Sequence, residues 1–206
     1  MKKVVKFGGS SLASAEQFKK VGEIIRADKE RKFAVPSAPG KRFDGDTKVT
    51  DMLYACYDLA ESGKDFKEQL KAIRERYQEI IDGLALKISL DDEFKTIEKQ
   101  FKDKAGKDYA ASRGEYLNGI IMAAYLGFEF VDAAGVVRFD ENGDFDAGTT
   151  NELMQARLNA LDAAVIPGFY EVLSTIHVPS SCGAFVFLIL IGIPSLLTGK
   201  IASSCN

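Results

Sequence analysis

Between Lys3 and Ile166 short apolar runs alternate with longer amphipathic stretches, and this alternation restricts the fold more than any other feature of the chain. Lys3-Val4-Val5-Lys6-Phe7 reads as a strand, after which Phe18, Val21, Ile24 and Ile25 recur at helical spacing. Lys32-Phe33-Ala34-Val35 reads as a second strand. Thr50 to Ser62 reads as a helix through Leu53, Cys56, Leu59 and Ala60, with Gly63 placed for a left-handed C-terminal cap. Two amphipathic helices follow, one marked by Phe66, Leu70, Ile73, Tyr77, Ile80 and Ile81, the next by Phe94, Ile97 and Phe101. A further helix is expected from about Arg113 to Tyr125, ended by Gly127, with Phe128 to Val131 as the next strand. Val136 to Phe139 is expected to pair in a small hairpin across the turn-rich Asp140 to Asp146, and Val165-Ile166 to form a short buried strand. Strands alternating with helices predict an α/β fold on a largely parallel sheet.

Composition excludes several functions. The 206 residues are 46% apolar and 28% charged, as in a soluble globular protein. A net charge of -3 and a pI near 5.4 give no general electrostatic reason to bind nucleic acid or an anionic membrane. The basic start, Met1 to Lys6, runs into Gly-Gly-Ser-Ser instead of the apolar core of a secretory signal, so a cytoplasmic protein is expected. Cys56, Cys182 and Cys205 are scattered without metal-ligand spacing, and His177 stands alone. No residue is assigned to a metal.

The loop after the first strand carries the first sign of chemistry. A strand, then Gly8-Gly9-Ser10-Ser11, then a helix lets backbone N–H groups converge on an anion, because glycine has no Cβ to block the approach. Lys6 then lies at the C-terminal end of its strand, where open α/β sheets place their ligands. The bland alternative is a tight Gly-Gly turn, an ordinary N-cap at Ser10 or Ser11 and a solvated Lys6. The stretch matches neither the P-loop nor the Gly-x-Gly-x-x-Gly dinucleotide pattern.

Lys6-Phe7-Gly8-Gly9-Ser10-Ser11 resembles the N-terminal signature of the aspartate kinases, members of the amino-acid kinase family. Three more stretches resemble that family in its order: Ser37-Ala38-Pro39-Gly40-Lys41 with Val49-Thr50-Asp51, then Ser112-Arg113-Gly114-Glu115, then Val165 to Tyr170. The resemblance implies an αβα sandwich with a mostly parallel central sheet, incomplete at its C-terminal side. It implies transfer of the ATP γ-phosphoryl group, with Mg2+, to the β-carboxylate of L-aspartate, the first step of lysine, threonine and methionine biosynthesis. It also implies that Lys6 stabilises the transition state, that Gly8, Gly9 and Ser10 hold the phosphates, and that Ser37 and Thr50 line the aspartate site. Glu115 would take the substrate ammonium or orient Lys6. On spacing alone Ser112 to Glu115 reads first as a helix capping box and Thr50 equally as another N-cap, and Asp132 has no assigned role. Relatives acting on glutamate or carbamate are the alternative on substrate, and an inactive remnant binding anions or aspartate weakly is the alternative on activity.

Two departures from the family pattern stand out. Pro36 replaces an apolar strand residue and removes a ladder N–H, so that strand end is expected to fray. Residues 1–172 are expected to be the N-terminal portion of the catalytic domain, and 173–206 an aberrant tail in which Lys200 is the sole charged residue. The family's Arg-Gly-Gly-Ser-Asp stretch does not follow, and no ACT regulatory domain is expected. The apolar run Ala184 to Ile193 is too short for a membrane span and is broken by Pro194. A divergent buried strand is one account of it, and a shifted reading frame or gene fragment is the favoured one. Such a run invites self-association. Translating the coding DNA beyond Val172 in its other two frames is expected to reveal Arg-Gly-Gly-Ser-Asp, and its absence from both would favour divergence instead.

Overall fold

Alternation along the first strand sends Val5 and Phe7 to one face and Val4 and Lys6 to the other, so a layer of structure is needed on both sides of the sheet. The computed structural model describes residues 2–168 apart from Gly143, and the calls on the tail, including His177, Cys182 and Cys205, lie outside those residues. Four strands, β1 (Lys3–Phe7), β2 (Arg31–Pro36), β3 (Glu129–Phe130) and β4 (Ala164–Val165), pair in parallel in the order β1-β2-β4-β3. Six α-helices accompany them among the described residues: α1 (Ala15–Arg26), α2 (Val49–Glu61), α3 (Lys67–Gly83), α4 (Asp91–Lys102), α5 (Lys107–Leu126) and α6 (Ala147–Asn159). Val5, Phe7, Ala34 and Val165 pack with α1 to α5, while Phe33, Ala164 and Ile166 pack with Met154 and Leu158 of α6. The result is an αβα sandwich with one thick and one thin helical layer.

The strand end at Pro36 is not frayed. Beyond it the Ser37 N–H donates to the Phe7 carbonyl at 3.0 Å, so the β1–β2 ladder runs straight through the proline. On its other edge β2 accepts from the Ile166 N–H at Ala34, so the N–H that Pro36 lacks belongs to the last rung facing β4. A ladder loses little when the missing donor falls on its final rung.

Local signals misplaced several helix starts. Gly9–Leu12 forms a 3-10 turn, and α1 begins only after Ser14, whose Oγ accepts from the Gln17 N–H at 3.4 Å. Neither Ser10 nor Ser11 is the cap of that helix. Lys48, not Thr50, precedes α2, and Thr50 is already helical. Helix α5 starts at Lys107, well before Arg113, after Gly106 at φ 109°, so Ser112 lies inside it and caps nothing. Its burial on several sides erases the one-sided stripe that marks a surface helix. Helix α6 was not foreseen for a related reason: Met154 and Leu158 are its only buried apolar residues, although Asp146 caps it by accepting from the Thr149 N–H at 2.9 Å. The expected hairpin reduces to a single antiparallel bridge between Phe139 and Phe145.

Gly63 and Gly127 do hold left-handed positions at the ends of α2 and α5, with φ of 70° and 71°. Among the described residues no helix is long and apolar enough to cross a membrane. Ser14→Ala is expected to cost about 0.5–1 kcal/mol in urea unfolding, as for a lost N-cap, whereas Ser11→Ala should be within about 0.5 kcal/mol of neutral.

Candidate functional site

Parallel neighbours send their following loops out of the same sheet edge, and here the loops after β1 and β2 cross in backbone contact. The Gly40 N–H donates to the Gly9 carbonyl at 2.8 Å. A Cβ on Gly40 would lie 2.6–2.8 Å from Gly9 and Ser10 backbone atoms, and one on Gly9 would lie 2.8 Å from the Ala38 carbonyl oxygen. Only glycine at both positions allows the crossing. Beside it opens a cleft of about 530 Å³, lined by Gly9 and Ser10 on one side and by Ser37, Lys41, Thr50 and Glu115 on the other.

Five of the seven residues singled out in the sequence therefore share one cleft. Lys6 and Gly8 are not among those lining it. Lys6 is exposed near the end of β1 and stands in register with Val35. A Cβ on Gly168 would sit 3.1 Å from Val35 Cγ1 and 2.9 Å from Glu115 Oε2. The Glu115 carboxylate thus lies close to Gly168, beside Val35, the β2 residue paired with Lys6.

The Ser-Arg-Gly-Glu segment divides its labour within α5. The Ser112 hydroxyl donates to the Tyr109 carbonyl at 2.7 Å and accepts from Arg113 Nε and Nη2 at 3.1 and 3.0 Å. The Arg113 guanidinium lies 4.6 Å from the ring centroids of both Tyr109 and Tyr116, an arrangement that cation–π attraction favours. Gly114 lets the helix close on the loop after β2, since a Cβ there would be 2.8 Å from Ala38 Cβ. Glu115 is left to face the cleft.

A model of the amino acid kinase family matches residues 1–183. The chain belongs to the amino acid kinase family. It is similar to aspartokinase 3 of Bacillus subtilis strain 168, 37% identical over an alignment of 185 residues that covers 82% of this chain and 40% of that protein. Among solved structures it is similar to Clostridium acetobutylicum aspartate kinase, with a TM-score of 0.78, 47% identity and coverage of 82% of this chain and 40% of that one. It shares its fold with E. coli aspartokinase III in complex with aspartate and ADP, with a TM-score of 0.64, 24% identity and the same coverage. The chain spans about 40% of the length of these relatives.

In this amino acid kinase chain, three buried polar side chains that the motifs did not reveal grip the main chain around the cleft. Asn118 Nδ2 donates to the Ser37 carbonyl at 2.6 Å, Arg76 Nη2 to the Gly40 carbonyl at 2.8 Å and the Tyr77 hydroxyl to the Gly114 carbonyl at 2.7 Å. Asn118 lies about one helical turn beyond Glu115, on the same side of α5. Arg76 could have been suspected, because it falls three residues after Ile73 and four before Ile80, within the buried stripe of α3. Burial, and then the charge of Glu115, hold the Tyr77 phenol well above its usual pKa, so it stays a donor at all ordinary pH. Burial also pushes the Cys56 thiol up to about 12, which leaves it unreactive in the folded chain.

Gly40→Ala is expected to destabilise the fold by about 1–3 kcal/mol, since its Cβ would meet backbone that cannot turn aside. Gly8→Ala should change stability by less than about 1 kcal/mol, because its φ of -74° suits any residue and nothing lies within 4 Å of a Cβ there. Denaturant unfolding of the two variants checks the contrast.

Proposed function

We propose that this chain forms the aspartate-binding and phosphate-binding portion of an ATP-dependent aspartate kinase, which phosphorylates the β-carboxylate of L-aspartate. The observation that carries the proposal is the single cleft shared by Gly9, Ser10, Ser37, Thr50 and Glu115, which reach it from separate segments of the chain. Its walls hold one carboxylate, Glu115, and two ammonium groups, Lys41 and Lys48. An amino acid carrying both signs of charge suits such a lining. The relatives support the same reading, because aspartokinase III of E. coli was solved with aspartate and ADP.

The residues present fit a nucleotide phosphate. Gly8 needs to be glycine neither for its φ nor for its packing, and its open face allows an anion to approach the backbone. Bound ATP would supply the phosphoryl group, with Mg2+ carried on its phosphates. In this proposal the amides of Gly8, Gly9 and Ser10 orient the phosphates, and the Lys6 ammonium neutralises the charge that builds on the transferring oxygens. Ser37 and Thr50 offer hydroxyls to the aspartate, while Glu115 takes its ammonium or keeps Lys6 aligned. Phosphoryl transfer needs positioning and charge neutralisation more than covalent chemistry, which this set of groups can provide. The reaction would be the cytoplasmic entry step to lysine, threonine and methionine.

A second reading is that the chain, which spans about 40% of each relative, binds aspartate or anions weakly and turns nothing over. Formation of aspartyl hydroxamate from ATP, Mg2+ and L-aspartate separates the two. With kinase activity, product forms, and Lys6→Ala lowers its rate on the order of 10²- to 10³-fold, as for loss of one transition-state donor. Calorimetric binding of aspartate or ADP without product supports the binding-only reading. Turnover unaffected by Lys6→Ala removes that residue from the mechanism, and product with L-glutamate in place of L-aspartate redirects the substrate.

A further inference from the structure

We propose that Arg76 is a positioning residue that latches the Ser37–Lys48 wall of the cleft onto α3 and so holds the Gly9–Gly40 crossing closed. Arg76 is buried, with 3% of its surface exposed, and one nitrogen does both of its jobs. Nη2 donates to the Gly40 carbonyl at 2.8 Å and lies 3.3 Å from Asp46 Oδ2. The residue it grips by the carbonyl is the one whose N–H, in the preceding peptide unit, donates to Gly9. Asp46 in turn closes the loop on itself: it accepts from the Arg42 backbone N–H and Nε, each at 2.9 Å, and from Arg42 Nη2 at 3.1 Å. Arg42 Nη1 then reaches back to α3 at Glu79 Oε2, 2.7 Å away and one turn beyond Arg76. The loop is therefore tied to one helix at two points, one buried and one exposed.

Charge and burial make the buried tie the stronger one. Burial pushes the Asp46 carboxyl up, but the Arg42 N–H and guanidinium and the Thr47 N–H outweigh it and hold the group below the ordinary carboxylate value. Asp46 is therefore an anion at neutral pH, and the Arg76 bond to Gly40 is made by a cation that has a counter-ion in place. The exposed pair, Arg42 with Glu79, is screened by water and contributes little by itself. Removing Arg76 leaves the Gly40 carbonyl without its donor while Asp46 keeps Arg42. The loss should fall on the loop and not on the fold.

Because Nη2 alone makes both contacts, a lysine ammonium can stand in for it, although Arg and Lys differ at forked sites. Backbone hydrogen exchange of the whole chain reads the latch directly and needs no ligand. In Arg76→Met, exchange at Gly40 and at Val49, whose N–H donates to Pro39, is expected to rise on the order of 10- to 100-fold, the factor for a charge-assisted bond. Ser37, whose N–H belongs to the sheet, should keep its protection, as should the amides inside β2 and α3. Arg76→Lys should restore Gly40 to within about threefold of the parent, since it keeps the charge and the donor. Arg74→Met, on the same helix but in an exposed pair with Asp91, should change neither amide.

Protection that falls evenly across β2, α3 and the loop in Arg76→Met, or that stays unchanged at Gly40, overturns the latch. If Arg76→Met does not fold, Asp46→Asn decides by the same two amides. The consequence for ligands rests on the aspartate kinase reading above: L-aspartate and ADP should bind Arg76→Met on the order of tenfold more weakly than Arg74→Met. A parent chain that binds neither ligand defeats that reading and leaves the exchange result to judge the latch.

Discussion

One backbone crossing organises the site. Gly9 and Gly40 approach so closely that neither tolerates a Cβ, and a 2.8 Å hydrogen bond joins them. The crossing is possible because β1 and β2 are parallel neighbours, with Phe7 in register with Pro36, so both chains leave the sheet at the same height and on the same edge. Splayed loops would leave Ser10 and Thr50 on unrelated surfaces. Joined loops make them two walls of one cleft, at the strand ends where open α/β sheets hold their ligands.

Helix α5 supplies the third wall, and its composition follows from where it runs. It carries glycine at two points of close approach: Gly114 meets Ala38, and Gly119 meets the Phe130 ring and Pro167. Contact with the loop after β2 at one point and with the β3 and β4 ends at another fixes both its height and its rotation. Glu115 and Asn118 lie between those two contacts, so their direction is set by packing on either side of them. Gly168 lies beside them, where a side chain would require the Glu115 carboxylate to shift.

What could be read in the sequence, and what could not, follows from the same geometry. Helices α2 to α4 each bury one face, so their periodicity survives in the amino-acid order, as Phe94, Ile97 and Phe101 show, while β1 and β2 are legible as short apolar runs. Helix α5 is buried around most of its circumference and α6 along very little, and in both cases periodicity gave no start or no helix at all. Ser10, Ser37, Thr50 and Glu115, which line the cleft, stand out in the sequence because their motifs are local and resemble those of a family. Arg76 and Asn118 were missed because they act on carbonyl oxygens, and a contact with the main chain leaves no partner residue in the sequence. Ser112 illustrates the reverse error, where a local capping pattern was overridden by a helix that had already begun at Lys107.

The polar residues inside this core are better understood as specifying conformation than as adding stability. Asn118, Arg76 and Tyr77 each reserve a donor for one main-chain carbonyl, at Ser37, Gly40 and Gly114. Asn118 Oδ1 and Arg76 Nε and Nη1 are nevertheless buried without hydrogen-bond partners among the described residues, which is an energetic cost. Apolar residues of similar size would pack without that cost, as replacements of buried ion pairs elsewhere have shown. They would also leave three carbonyls free to turn. With the polar residues in place, a loop that departs from its path strands a buried donor and loses on the order of 1–3 kcal/mol, so alternative loop conformations are penalised. The walls of the cleft are held in one arrangement because every other arrangement leaves charge or a donor unmatched inside the protein.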